Sequence, residues 1–140
     1  MILLLLLFKY SKMSLQINTE LNDYDITFDI TISDVSSTYN CVFLYPWLYI
    51  NVEDKDIKHM IKCVSREIEE DNVLDFYTKG DSCHMCFFVS SSKDTFNFNY
   101  GTTEEDVFVQ SDFTFELDKG DNRQQIIEML NTMLNRNKIN

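Results

Sequence analysis

Two histidines and four cysteines are the side chains of this sequence best suited to metal or nucleophile chemistry, and Cys83-His84-Met85-Cys86 gathers three of them. His59 and Cys63 stand one turn apart in a stretch of helical periodicity. Zinc favours thiolates and imidazole in a tetrahedron, so His59, Cys63, Cys83 and Cys86 supply the inventory of a Cys3His site. Placement works against closing it. On a helical wheel His59 falls about 150° and Cys63 about 110° from the centre of the apolar stripe, so both lean toward water. Cys83 and Cys86, an odd number of residues apart in a strand, point to opposite faces. The expectation is therefore no cofactor, with zinc as the alternative.

Other chemistries find less. A thioredoxin-like Cys83-x-x-Cys86 needs its first thiol at a helix N-terminus, whereas Phe87-Phe88-Val89 reads as strand. His84 and Cys86 share a strand face as a base and nucleophile pair, yet no third group is identifiable to orient them. The sequence lacks nucleophile-elbow, Walker, HExxH and EF-hand spacings. Acidic runs at Glu53-Asp54-Asp56, Glu69-Glu70-Asp71 and Glu104-Glu105-Asp106 fall at element ends or in loops, where solvation explains them. Tyr45-Pro46-Trp47-Leu48-Tyr49 is the preferred recognition segment. Tyr45, Trp47 and Tyr49 join large apolar area to a polar handle, and Pro46 places the strand at a sheet edge or a bulge.

Charge bounds the partners. Twenty-three acidic against twelve basic side chains leave a net −11, which disfavours nucleic acid and anionic membranes, both of which select Lys and Arg. An acidic module suits docking on a basic protein surface. The sequence has no Ala, three Gly, one Pro and three Arg, the bias of an AT-rich genome such as that of some protists, insect symbionts or large DNA viruses, among which composition does not choose. Residues 1–8 are wholly apolar but lack the basic flank and cleavage site of a signal sequence and are too short to span a bilayer as a helix. Residues 1–12 are read as an extension, with Met13 a candidate start, and residues 13–140 as a single cytoplasmic domain whose cysteines stay reduced.

The elements that must position these residues follow from periodicity. With 44% hydrophobic residues, eleven Phe and seven Tyr, the chain has material for a core. Leu15 to Ser33 reads as a hairpin turning at Asn22-Asp23, with Ile17 opposite Phe28 and Leu15 opposite Ile30. Tyr39 to Val52 reads as an edge strand. Between Asp54 and Asp71, Ile57, Met60, Ile61, Val64 and Ile68 form a helical stripe. From Val73 to Leu117 a four-strand meander turns at Gly80-Asp81, Ser91 to Asp94 and Gly101 to Asp106. It aligns Leu74, Phe87, Phe98 and Val109 in one row, and Phe76, Met85, Tyr100 and Val107 in another. Asp121 with Gln124 reads as a capping box for a closing helix that buries Ile126, Ile127, Leu130, Met133 and Leu134. The fold class is α+β: an antiparallel sheet of about seven strands with two amphipathic helices, in the order βββαββββα. A pleckstrin-homology-like barrel with a C-terminal helix shares the element count and is the alternative. The functional expectation is a non-enzymatic acidic protein-interaction module, an inhibitor or accessory factor; the alternative is a zinc- or thiol-dependent protein.

Overall fold

The computed structural model describes residues 15–21, 25–32, 35–42, 52–77, 83–104 and 107–135. Strands β1 (Leu15–Leu21), β2 (Asp25–Ile32) and β3 (Val35–Val42) form one antiparallel sheet, paired in chain order. Helix α1 (Asp54–Val64) follows. A second antiparallel sheet comprises β4 (Asn72–Tyr77), β5 (Cys83–Ser90), β6 (Thr95–Glu104) and β7 (Val107–Glu116), and helix α2 (Asn122–Leu134) closes the chain order. The α+β class and the order βββαββββα are as expected. The strands divide into two sheets, and among the described residues no barrel closes.

Each sheet is apolar on alternate residues and must cover that face. The two faces cover each other. Phe28 of the first sheet meets Phe87 and Phe98 of the second at ring-centroid distances of 6.4 and 6.0 Å. Tyr39 of β3 lies 5.4 Å from Phe98, 5.2 Å from Tyr100 and 5.8 Å from Phe113. Phe76 and Phe96 flank Phe87 within the second sheet at 5.1 and 5.5 Å. Such tilted and edge-on ring pairs add about 1 kcal/mol each to the burial of their area.

The helices are exchanged between the halves. α1 follows the first meander yet packs on β4 and β5, α2 follows the second yet packs along β1, and the helices touch each other. Gln125 of α2 completes the edge of β1: its Oε1 accepts from the Ile17 N–H at 2.7 Å, and its Nε2 donates to the Leu15 carbonyl. Arg123 locks the other end. Its guanidinium donates to the Val64 carbonyl at the end of α1 (2.7 Å), to Asp94 in the β5–β6 turn (2.5 Å) and to Asp118 before α2 (2.6 Å). Arg66 and Asp94 both hold left-handed φ angles, 68° and 51°, without being glycine. Their side chains approach to 3.7 Å, so ties to the same cluster offset a backbone cost of about 1 kcal/mol each.

Several local expectations are corrected. The β1–β2 register pairs Leu15 with Ile32, Ile17 with Ile30 and Leu21 with Ile26, two residues from the expected pairing with Phe28. The even shift preserves the parity of the strands and sets Ile32 opposite Leu15. The Leu74–Phe87–Phe98 and Phe76–Met85–Tyr100 alignments hold, but β6 and β7 continue to Glu104 and Val107, so Phe98 pairs with Phe113 and Thr102 with Val109. That four-residue shift lengthens the ladder and sets Phe96 opposite Phe115. β3 begins at Val35, ahead of the expected Tyr39, and residues 43–51, with Tyr45, Pro46, Trp47 and Tyr49, lie outside the described residues.

α1 ends at Val64, short of Asp71. The Ser65 N–H donates to the Ile61 carbonyl, and the left-handed Arg66 turns the chain back so that the Ile68 N–H meets the Lys62 carbonyl. Ile68 packs on the core from the returning connection. The capping box expected from Asp121 and Gln124 is absent, because Asp121 accepts from the Gln125 side chain and Gln124 turns to Glu128. At α1, by contrast, the Glu53 N–H donates to Asp56 Oδ2 at 2.8 Å. α2 buries Ile126, Met129, Leu130 and Met133, with Ile127 and Leu134 partly covered.

Two expected outcomes follow from this packing. Phe87→Ala removes the ring shared by both sheets and costs about 3–5 kcal/mol in urea denaturation; a loss under 1 kcal/mol would disprove a central role. Arg123→Met leaves Asp94 with Arg66 as its remaining cation and costs about 2 kcal/mol at neutral pH. The Arg123 hydrogen bond holds the Asp94 carboxyl below the usual range. Its stabilisation is thus complete above about pH 5 and is lost as pH falls through the ordinary carboxylate range toward the lower folded-state value. Denaturation across pH 2–7 should show a shallower acid slope in Arg123→Met than in the parent.

Candidate functional site

The turn at Arg66 returns the chain beside α1 and brings a third donor to His59 and Cys63. Glu70 Oε2 lies 3.4 Å from His59 Nε2, and donor atoms of His59, Cys63 and Glu70 all fall within 4.8 Å of one another. The wheel placed Cys63 toward water, but it is only 4% exposed. The buried face of α1 comprises Ile57, Met60, Cys63 and Val64, with Ile61 half-covered, because α1 is contacted by both the β4–β5 pair and α2. Two neighbours on different sides rotate the buried arc away from the stripe drawn for one. Burial, with Glu70's charge adding, pushes the Cys63 thiol up. His59 keeps 43% and Glu70 61% of their side-chain surface exposed, so the cluster opens to solvent.

Cys86 is not part of this group. Its neighbours Met85 and Phe87 are fully buried toward the core, so alternation turns Cys86 to the opposite face, where it pairs in register with Asp75. Burial first, then the hydrogen bond and charge of Asp75, push the Cys86 thiol up to about 12. His84 Nε2 lies 3.5 Å from Asp75 Oδ1, so Asp75 engages both residues of the expected base and nucleophile pair. A thiol held protonated beside a carboxylate is no nucleophile. The side chains of Cys83 and Cys41 lie outside those described. The expected four-ligand set is not assembled among the described residues: two members join Glu70 and one stands across the sheet.

The acidic runs are dispersed. Glu53, Asp54 and Asp56 cap and line the first turn of α1, where the helix dipole favours them. Asp71 accepts from the Ser91 N–H at 2.7 Å, pinning the α1–β4 connection to the β5–β6 turn. Glu105 and Asp106 lie outside the described residues.

The solvent faces of the sheets form a larger feature. No described strand contains Lys or Arg. The outer face of β4–β7 carries Asp75, Asp112 and Glu116 among Asn97, Asn99, Gln110 and Thr114. Asn97 Nδ2 donates to Asp112 Oδ1 and Thr114 Oγ1, and Gln110 Nε2 to Asn99 Oδ1. At its β4 edge Val73 is 48% exposed opposite the half-buried Phe88. Glu20 and Asp29 mark the outer face of the first sheet. A cleft of about 430 Å³, lined by Leu15, Ile32, Phe113, Phe115, Lys119 and Asn122 among others, opens where β1 and β2 meet β7. The sequence carried no signal for it, since its walls come from both sheets.

Two antiparallel meanders, each followed by a helix that packs on the other half, define the class: an α+β domain of exchanged meander-helix units. A chain of the Trypanosoma bruciei MRP1/MRP2 crystal structures has this fold, with a TM-score of 0.52 over 99% of this chain and 95% of that one, at 8% identity. At that identity the likeness concerns the fold alone. No family model and no curated protein matches the sequence. Among the described residues no helix is long and apolar enough to cross a membrane.

The state of Cys86 is open to direct measurement. At pH 8 iodoacetamide should label Cys86 at least about a hundredfold more slowly in folded than in urea-unfolded protein, as read by peptide mass spectrometry. Asp75→Asn should accelerate labelling by removing the hydrogen bond and the charge. Folded-state labelling at the unfolded rate would contradict the described environment.

Proposed function

We propose that this protein is a non-enzymatic interaction module, an inhibitor or accessory factor, that docks a basic protein surface on the outer face of its four-strand sheet. The observation that carries this reading is the segregation of charge. The Lys and Arg side chains among the described residues stand on the helices and connections, while the strands carry neither and present Asp75, Asp112 and Glu116, with the imidazole of His84 beside Asp75. A phosphate backbone would meet repulsion across this face, whereas Lys and Arg of a partner would find carboxylates and amide oxygens. Val73 and Phe88 add an apolar spot beside the acids, the combination that lets a charged encounter become a packed contact. The reading does not draw on Tyr45, Trp47 or Tyr49, whose expected role in partner binding concerns residues outside those described.

The probe is a Lys- and Arg-rich peptide with one aromatic residue, titrated into isotopically labelled full-length protein. Amide shifts should move along β4–β7 around Asp75, Asn99 and Asp112, and the affinity should fall with salt. The variant Asp75→Asn, Asp112→Asn, Glu116→Gln should bind about tenfold more weakly at unchanged thermal stability, since each exposed pair contributes a fraction of a kcal/mol. Shifts confined to the helices, or binding unaffected by the triple substitution, would overturn the assignment of this face.

A further inference from the structure

We propose that His59, Cys63 and Glu70 form a binding site for one zinc-class divalent cation, with a fourth coordination position open to solvent. This is a different ligand set from the one spacing suggested, and it stands apart from the docking face. Three features carry it. His59 and Cys63 are separated by four residues on α1, so their side chains rise on one helix flank one turn apart. The backbone reversal at Arg66 aims Glu70 back at them, giving the 3.4 Å approach of Glu70 Oε2 to His59 Nε2 and the 4.8 Å limit on the three donor separations. The donors differ in kind: one imidazole nitrogen, one sulfur and one carboxylate oxygen. That set selects zinc or cobalt over magnesium and calcium, which take oxygen ligands.

The spacing suits the ion. Metal bonds of about 2.0–2.3 Å in a tetrahedron leave ligand atoms roughly 3.3–3.8 Å apart, so closure needs about 1 Å of side-chain adjustment. His59 and Glu70, both partly exposed, are free to make it, while Cys63 is fixed in the core. Glu67, Glu69 and Asp71 are exposed on the same connection and raise the local concentration of a cation. Protein ligands fill only three positions, so water or a donor from another molecule takes the fourth, unlike a closed four-ligand structural site. A bound ion would clamp the 65–71 connection to α1, and with it Asp71, which holds the β5–β6 turn.

Titrating Co(II) into reduced, full-length protein tests this. One equivalent should produce a thiolate-to-cobalt charge-transfer band in the near ultraviolet with visible bands of four-coordinate intensity, and equimolar zinc should displace it. Glu70→Gln, at an exposed position that leaves the core untouched, should weaken binding at least about tenfold, and Cys63→Ala should abolish the charge-transfer band. Cys86→Ser should change neither. No cobalt spectrum in the parent would mean that His59 and Glu70 are an ion pair only. A charge-transfer band that survives in Cys63→Ala or is unaffected by Glu70→Gln would place the ion elsewhere. Either result overturns the proposal.

Discussion

Phe87 is the point on which both sheets close. Its ring contacts Phe28 across the sheet interface and Phe76, Phe96 and Phe98 within its own sheet. A meander with one apolar face leaves that face against water until another surface covers it. Two such meanders solve the problem together when their apolar faces meet, and the aromatic contacts from Phe28 and Tyr39 mark where they do.

The covering is the task of the helices, and their exchange makes the halves inseparable. α1 and α2 each protect strands of the half that did not produce them. Arg123 makes the arrangement specific, since one guanidinium binds the last turn of α1, the β5–β6 turn and the segment before α2. Gln125 performs a similar service at the edge of β1, where unpaired backbone groups would otherwise invite another chain. Hydrogen bonding here sets which helix lies where, and apolar burial supplies most of the stabilisation.

The same construction sorts the chemistry. With the apolar faces inside, the carboxylates and amides of the strands are driven to the outer faces, where the described strands carry no Lys or Arg; among the described residues these stand on helices and connections. The acidic composition thereby becomes a surface with direction. The fold by itself does not decide what meets that surface, because recognition is carried by side chains.

The period-two and period-3.6 patterns of this sequence determined element type, element order and which strand residues face inward. Leu74, Phe76, Met85, Phe87, Phe96 and Phe98 are all buried on the side that alternation assigned. The opposition of Asp75 to Cys86 was also available, since the Gly80-Asp81 turn that pairs Leu74 with Phe87 pairs these two as well. Parity survives a shift of two or four residues, which is why inward faces were legible while the registers of β1–β2 and β6–β7 were not. Only tertiary structure decided that the strands form two sheets, that the helices cross over, and that Cys63 is buried. Each depends on which distant surface covers a given face, and a periodicity records only that some surface must. Glu70 reaches His59 through a left-handed turn at Arg66, a conformation that an arginine does not announce. The cluster it completes became visible only in three dimensions.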